Sequence, residues 1–170
     1  ASLATREIVS RWNSNTGRHD AVIGDVLAVD PDAEKLYEVV RDREDLTRRL
    51  DHFLTESEKI IPEASKALSC GDLEEFGRMA QESQRAAEDL LGNQVPQTAV
   101  LARIAHDLGA VGSTSFGAGF GGSVWALVPS AEAKEFAEKW ITSYRDEYPE
   151  EASQATTVVT RPGPSARRLD

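Results

Sequence analysis

A chain of 170 residues is long enough for one domain with its own core, and a single cysteine precludes an internal disulfide. With 19 basic against 29 acidic residues the net charge is −10, which argues against nucleic acid and acidic membrane surfaces as partners. No apolar run approaches the roughly 18 residues that span a bilayer, and no signal peptide pattern opens the chain, so a cytoplasmic location is expected.

Residues 2–13 read as a helix with Leu3, Ile8 and Trp12 on one side. It begins without a cap or an initiator Met, which suggests a chain continuing from a missing N-terminal segment. A turn cluster follows at Asn13-Ser14-Asn15-Thr16-Gly17. The period over Ala21–Val29 fits a strand or a short helix and does not decide between them. Asp30-Pro31-Asp32 opens a helix to about Val40, with Pro31 at a favourable first position. Residues 41–45 are a charged joint. These segments make residues 1–42 a helical lead-in and residues 43–170 the main domain.

A long helix is expected over 44–69, its apolar stripe formed by Leu46, Leu50, Phe53, Leu54, Ile61, Ala64 and Leu68. Pro62 predicts a kink or break within it. Gly71 ends that helix and Asp72 caps the next, which runs to about Leu91 with Leu73, Phe76, Ala80, Ser83, Ala87 and Leu90 inward. Gly92 stops it. Residues 92–96 link to a third helix over 97–108, closed by Gly109. Beyond Pro129, Ser130 caps a last helix to about Tyr148. Ala155–Thr160 is β-branched and reads as a strand, and residues 161–164 as a turn.

Between Gly109 and Pro129 the chain reads strand, glycine loop, strand. Residues 110–115 are small or β-branched, residues 123–128 alternate, and Gly117-Ala118-Gly119-Phe120-Gly121-Gly122 places four glycines in six residues. A hairpin turn needs about two. The excess points to another surface, or a phosphate-bearing ligand, within backbone distance. Gly117, Gly119 and Gly122 spell G-x-G-x-x-G, but a strand follows where the dinucleotide fingerprint requires a helix. No Lys-Ser or Lys-Thr follows, which excludes a Walker loop, and no protein-kinase motif occupies the 48 residues after Gly122.

Catalytic machinery is thin. Glu56, Glu58, Glu74 and Glu75 sit on charged helices and read as solvated faces, and Ser113, Thr114 and Ser115 have no evident base beside them. His19, His52 and His106 lie far apart with no metal-ligand spacing, so solvated helix positions are their default, and no metal residue is assigned. Cys70 reads as a small residue near a helix end. The loop's N–H groups form a candidate anion nest, yet no Lys or Arg lies within it. Phosphoryl transfer also needs cations, a metal and a positioned base. At most this chain supplies one wall of such a site, and no catalytic residue is assigned to it.

The stretch Phe116–Val124 resembles the third conserved motif of the GHMP kinases, named for galactokinase, homoserine, mevalonate and phosphomevalonate kinases. Phe76-Gly77-Arg78-Met79 with Glu82-Ser83, then Val95-Pro96, resembles the helix and linker upstream of that motif in galactokinases, and Leu50-Asp51-His52-Phe53 with Glu56-Ser57-Glu58 the helix before. The similarity covers roughly Arg48 to the C-terminus. It implies an α+β fold of GHMP C-terminal type: helices on one face of a small antiparallel sheet, a ferredoxin-like split α/β sandwich, with a long helical hairpin. It further implies an ATP-dependent sugar 1-kinase whose catalytic aspartate and main phosphate loop, and most of the hold on ATP and Mg²⁺, belong to an N-terminal domain. Gly117, Ala118, Gly119, Phe120, Gly121 and Gly122 would then line the ATP side of the interdomain cleft, Phe120 alternatively packing under the turn. Partners are accordingly a small-molecule sugar, ATP and the N-terminal kinase domain. The resemblance departs at Thr114-Ser115-Phe116, where galactokinases carry Arg-Met-Thr, and at Gln84, where they tend to carry His; galactose itself is thereby open. The rival expectation is a free-standing α/β module that binds a small ligand or a protein without catalysis.

Overall fold

The structure, a computed structural model, describes residues 2–163. Among these residues there are eight α-helices and one hairpin, with two π segments and a short 3-10 helix, Glu151–Gln154, besides: α1 Ser2–Thr16, α2 Ile23–Leu27, α3 Glu34–Val40, α4 Glu44–Leu54, α5 Ile61–Cys70, α6 Leu73–Ala86, α7 Pro96–Asp107, β1 Gly112–Phe116, β2 Ser123–Leu127 and α8 Ala133–Glu147. Within residues 21–29 the chain forms the short helix α2, Ile23–Leu27, and no strand. The Asp30-Pro31 segment is a turn outside α3: the Asp30 carboxylate accepts the Leu36 N–H at 3.0 Å, and Ala33, with φ 54°, precedes the helix.

Helices α1 to α4 share one core. Ile8, Val9 and Trp12 of α1 pack with Ile23, Val26, Leu36 and Val40, and Leu46 and Leu50 of α4 complete the cluster. The lead-in and the start of the main domain are therefore one packed body. Leu3, expected inward, is 78% exposed. Its neighbour Ala4 packs against this core instead, so at this end of α1 the inward position is Ala4 rather than Leu3.

The long helix does not break at Pro62. It widens into a π segment, Thr55–Ile60, where the Ile61 N–H reaches back to the Glu56 carbonyl. Pro62 then falls in the first turn of α5, where its missing N–H removes no bond the π geometry was using. The wider turn interrupts the 3.6-residue phase. Burial after it falls on Ile60 and Ala67, whereas Ile61 and Leu68 are exposed. Gly71, in the left-handed region, and the Asp72 carboxylate, which accepts the Glu75 N–H at 3.0 Å, turn the chain into α6. The long helical hairpin is formed by α4, the π segment and α5 against α6, and α6 itself ends in a π segment, Ala87–Leu91, stopped by Gly92.

The sheet is the antiparallel pair β1–β2, in register from Gly112 opposite Leu127 to Phe116 opposite Ser123. Helix α6 lies on β1 at a glycine crossing. A Cβ on Gly77 would overlap the Val111 carbonyl oxygen and stand 2.7 Å from its carbonyl carbon. The Gly112 site mirrors this, with the Gly77 Cα 3.0 Å away. Phe76 stacks on Trp125 of β2, ring centroids 6.2 Å apart, and the contact locks helix to hairpin. A second cluster, Ala105, Ala110 and Phe136 with Trp140 beside it, joins α7, the hairpin and α8.

Two expected elements differ. Helix α8 begins at Ala133 after a turn in which the Glu132 N–H bonds the Pro129 carbonyl, so Ser130 is not its cap. Residues 155–160 form no strand. Val158 is 84% exposed, and a β-branched run forms a strand only where a neighbouring edge supplies a ladder. The segment instead borders, with β2 and α8, a cleft of about 1000 Å³. Of the turn expected at 161–164, Pro164 lies outside the described residues.

Candidate functional site

The hairpin tip is built almost entirely from unusual backbone. Gly117, Gly119, Gly121 and Gly122 have φ of 91°, 83°, 110° and 107°, and Phe120 joins them at 59°. A bulky aromatic in the left-handed region is a backbone outlier that persists only where its surroundings impose it. Nothing packs over its ring, since Phe120 is 75% exposed. It is therefore not a packing residue under the turn. Ala118 is exposed beside it, as are Gly117 and Gly122, while Gly119 and Gly121 are half-buried.

What imposes this shape is the connection between α6 and α7. The Asn93 carbonyl accepts the Phe120 N–H at 2.5 Å, and Asn93 Nδ2 donates to the Ala118 carbonyl at 3.2 Å. These two bonds bracket Gly119. A Cβ there would collide with Asn93, its Cγ only 2.7 Å away. The surface that demands a glycine at 119 is thus the chain's own. The other three loop glycines have open space where a Cβ would stand.

The base of the loop is held from α6. Gln84 is buried, and its Oε1 accepts both the Ser115 N–H at 2.8 Å and the Thr114 hydroxyl at 2.9 Å, while its Nε2 donates to Glu88 at 2.6 Å. Ser113, also buried, donates its hydroxyl to the Trp125 carbonyl at 2.8 Å. The Ser113 and Thr114 hydroxyls are thus placed by hydrogen bonds to a backbone carbonyl and an amide oxygen, not to a base. Gln84 stood out in the sequence only as a departure from the galactokinase pattern, not as an anchor, and Asn93 did not stand out at all. The signal for Asn93 was a polar Asn-Gln pair set between Gly92 and Pro96.

The site has no cation of its own between Phe116 and Val124. Among the described residues, the amides of 117–122 other than that of Phe120 meet no acceptor. They are donors available to an anion. No group of three or more His, Cys, Asp or Glu side chains gathers there as metal ligands among the described residues. Elsewhere the charged faces pair internally: Arg78 with Glu75, Glu63 and Glu82, Lys59 with Glu82, and Ser83 with Glu56 at 2.7 Å. His106 and His52 have partners as well. Gln81 Nε2 meets the His106 ring at 2.7 Å, and Arg49 Nη1 lies 2.8 Å from His52 Nδ1. Burial first, and then the Arg49 charge, hold His52 below its ordinary pKa. No helix of the described residues is long and apolar enough to cross a membrane.

The model of the C-terminal region of GHMP kinases matches residues 60–146, from the last residue of the first π segment to α8. A galactokinase of Enterococcus faecalis is 37% identical over 102 residues, which cover 59% of this chain and 26% of that protein. A galactokinase of a Roseiflexus species is 29% identical over 154 residues, 85% of this chain and 39% of its own length. Among solved structures, Lactococcus lactis galactokinase complexed with galactose superposes with a TM-score of 0.72 at 25% identity, over 86% of this chain and 37% of that one. The chain thus spans between about a quarter and two fifths of these relatives. With the family model covering just over half of its residues, and the helical hairpin and two-stranded sheet matching the solved fold, the chain belongs to the GHMP kinase C-terminal family and is similar to galactokinases.

Proposed function

We propose that this chain is the C-terminal domain of a cytoplasmic, ATP-dependent sugar kinase of galactokinase type, which transfers a phosphoryl group from ATP to the anomeric hydroxyl of a sugar. Gly117, Ala118, Gly119, Phe120, Gly121 and Gly122 line the ATP side of a cleft against an N-terminal kinase domain. The observation that carries this reading is the loop tip, where Phe120 is held at positive φ with its ring in solvent beside an exposed Ala118. Strain and exposed apolar surface together are what a contact surface for another body leaves behind when that body is absent. The loop's part is positional. Its free amides offer donors to phosphate oxygens, and its shape limits how closely a nucleotide and the facing domain approach. Among the described residues no group of three or more His, Cys, Asp or Glu side chains is placed to hold a metal, and the reading assigns Mg²⁺ and the base acting on the sugar hydroxyl to the N-terminal domain. The sugar itself lies in the galactokinase range, after the relatives.

The test is turnover in two forms of the protein. The 170-residue chain, given MgATP and a panel of sugars including galactose, is expected to release ADP at background in a coupled assay. The same chain joined to its N-terminal kinase domain is expected to turn over at least one sugar with phosphorylation at the anomeric position. Sustained turnover by the chain alone, or none by the joined protein on any sugar, contradicts the proposal.

A further inference from the structure

The connection Gly92–Val95 does more than join two helices. Asn93 touches the loop from both its main chain and its side chain, through the Phe120 N–H and the Ala118 carbonyl, and fills the space that Gly119 leaves. Its side chain is itself held. Gln94 Nε2 donates to Asn93 Oδ1 at 3.0 Å, and Gln94 Oε1 in turn faces the Thr98 hydroxyl at 2.9 Å. Thr98 is buried in the first turn of α7 and accepts the Val95 N–H at 3.3 Å. A polar chain therefore runs from a buried threonine to the tip of the glycine loop. Gln84 anchors only the base of the hairpin, at Thr114 and Ser115. The tip depends on Asn93.

We infer that Asn93 is a positioning residue for nucleotide: it fixes the presentation of Ala118 to Phe120 toward MgATP, with Gln94 and Thr98 holding its side-chain rotamer. This deepens the kinase reading of the loop and rests on it. The physical requirement is that Phe120 stay in a backbone region which it leaves once its restraints weaken. Removing one hydrogen bond of a pair while the other stays loosens the tip without unfolding the hairpin, since the β1–β2 ladder and the Gln84 bonds remain.

Asn93→Leu preserves side-chain size and the backbone acceptor but removes the donor to Ala118 and the acceptor for Gln94. In the ¹⁵N-labelled 170-residue chain, hydrogen exchange at the Phe120 amide is expected to speed up by roughly fivefold, with Ser115 unchanged as an internal reference. In the protein joined to its kinase domain, with galactose and MgATP, KM for ATP is expected to rise by roughly fivefold while kcat stays within about twofold, the pattern of lost positioning rather than lost chemistry. Gln94→Leu should move both readouts in the same direction and less. Unchanged Phe120 exchange overturns the inference, and so does faster exchange with an unchanged KM. Either failure is separable from failure of the kinase reading, which stands if Ala118→Leu, a variant that leaves Asn93 in place, raises KM for ATP by itself.

Discussion

At residue scale, the behaviour of His52 follows from where its ring lies. Arg49 on the preceding turn points a guanidinium N–H at Nδ1, 2.8 Å away, and partial burial disfavours the charged ring, with Glu56 opposing weakly. The folded pKa therefore sits below the ordinary value of 6.5. In that interval the unfolded chain binds the proton more tightly, so stability is complete above pH 6.5 and declines as pH falls from there toward the folded pKa. His52→Gln is expected to flatten that part of the stability-against-pH curve, measured by urea unfolding between pH 5 and 8. A slope identical to that of the parent chain would contradict the assignment. The sequence placed His52 on a helix and predicted solvent around it. The error is physical: exposure depends on a neighbour one turn away and on how α4 meets the rest of the hairpin, which composition does not report. The anchoring roles of Gln84 and Asn93 escaped notice for a related reason. Each reaches a backbone group at least 25 residues distant, and no local pattern encodes such a partner.

At the scale of elements, the legible features were those with local causes. Gly71 and Gly92 end helices because each adopts the left-handed conformation at a C-terminus, and Asp72 caps α6 with its own side chain. Asp107 and Gly112 bracket a turn at Gly109 where one was expected. The π segment at Thr55–Ile60 was visible only as a problem at Pro62, and the missing strand at 155–160 shows that β-propensity without a paired edge does not make a strand. One element contact invites a quantitative test. The α6–β1 crossing has no room for a methyl group at Gly77, and the obstacle is the Val111 carbonyl, which has no rotamer to change. Gly77→Ala is expected to destabilise the chain by about 3 kcal/mol, the upper end of overpacking costs. Gly24→Ala, where the nearest atom stands 4.0 Å from the new Cβ, should be neutral or stabilising by up to about 1 kcal/mol. Equal effects of the two in chemical denaturation would mean that the crossing has slack.

For the whole molecule, the arrangement separates stability from contact. One core unites α1 to α4, another joins α7, the hairpin and α8, and the α5–α6 hairpin lies between them in sequence. The glycine loop belongs to neither core. It projects with exposed apolar groups from a chain of net charge −10 and brings backbone donors without a cation. On the proposed reading, a nucleotide phosphate meeting such a loop has its charge balanced from a facing domain, and the loop is one wall of a shared site. Gly119 is unsuitable for testing this, since any side chain there strikes Asn93 first. Ala118 is suitable: it is exposed, lies outside the positive-φ positions, and contributes only its carbonyl to the clamp. The decisive measurement is Ala118→Leu in the protein carrying both domains, compared with the parent for thermal unfolding and for kinetics in MgATP. The expected result is a melting temperature changed by no more than a surface substitution allows, about 0.5 kcal/mol in stability, with kcat/KM for ATP reduced on the order of tenfold. Parent-like ATP kinetics in a fully folded Ala118→Leu protein would show that the loop does not face the nucleotide.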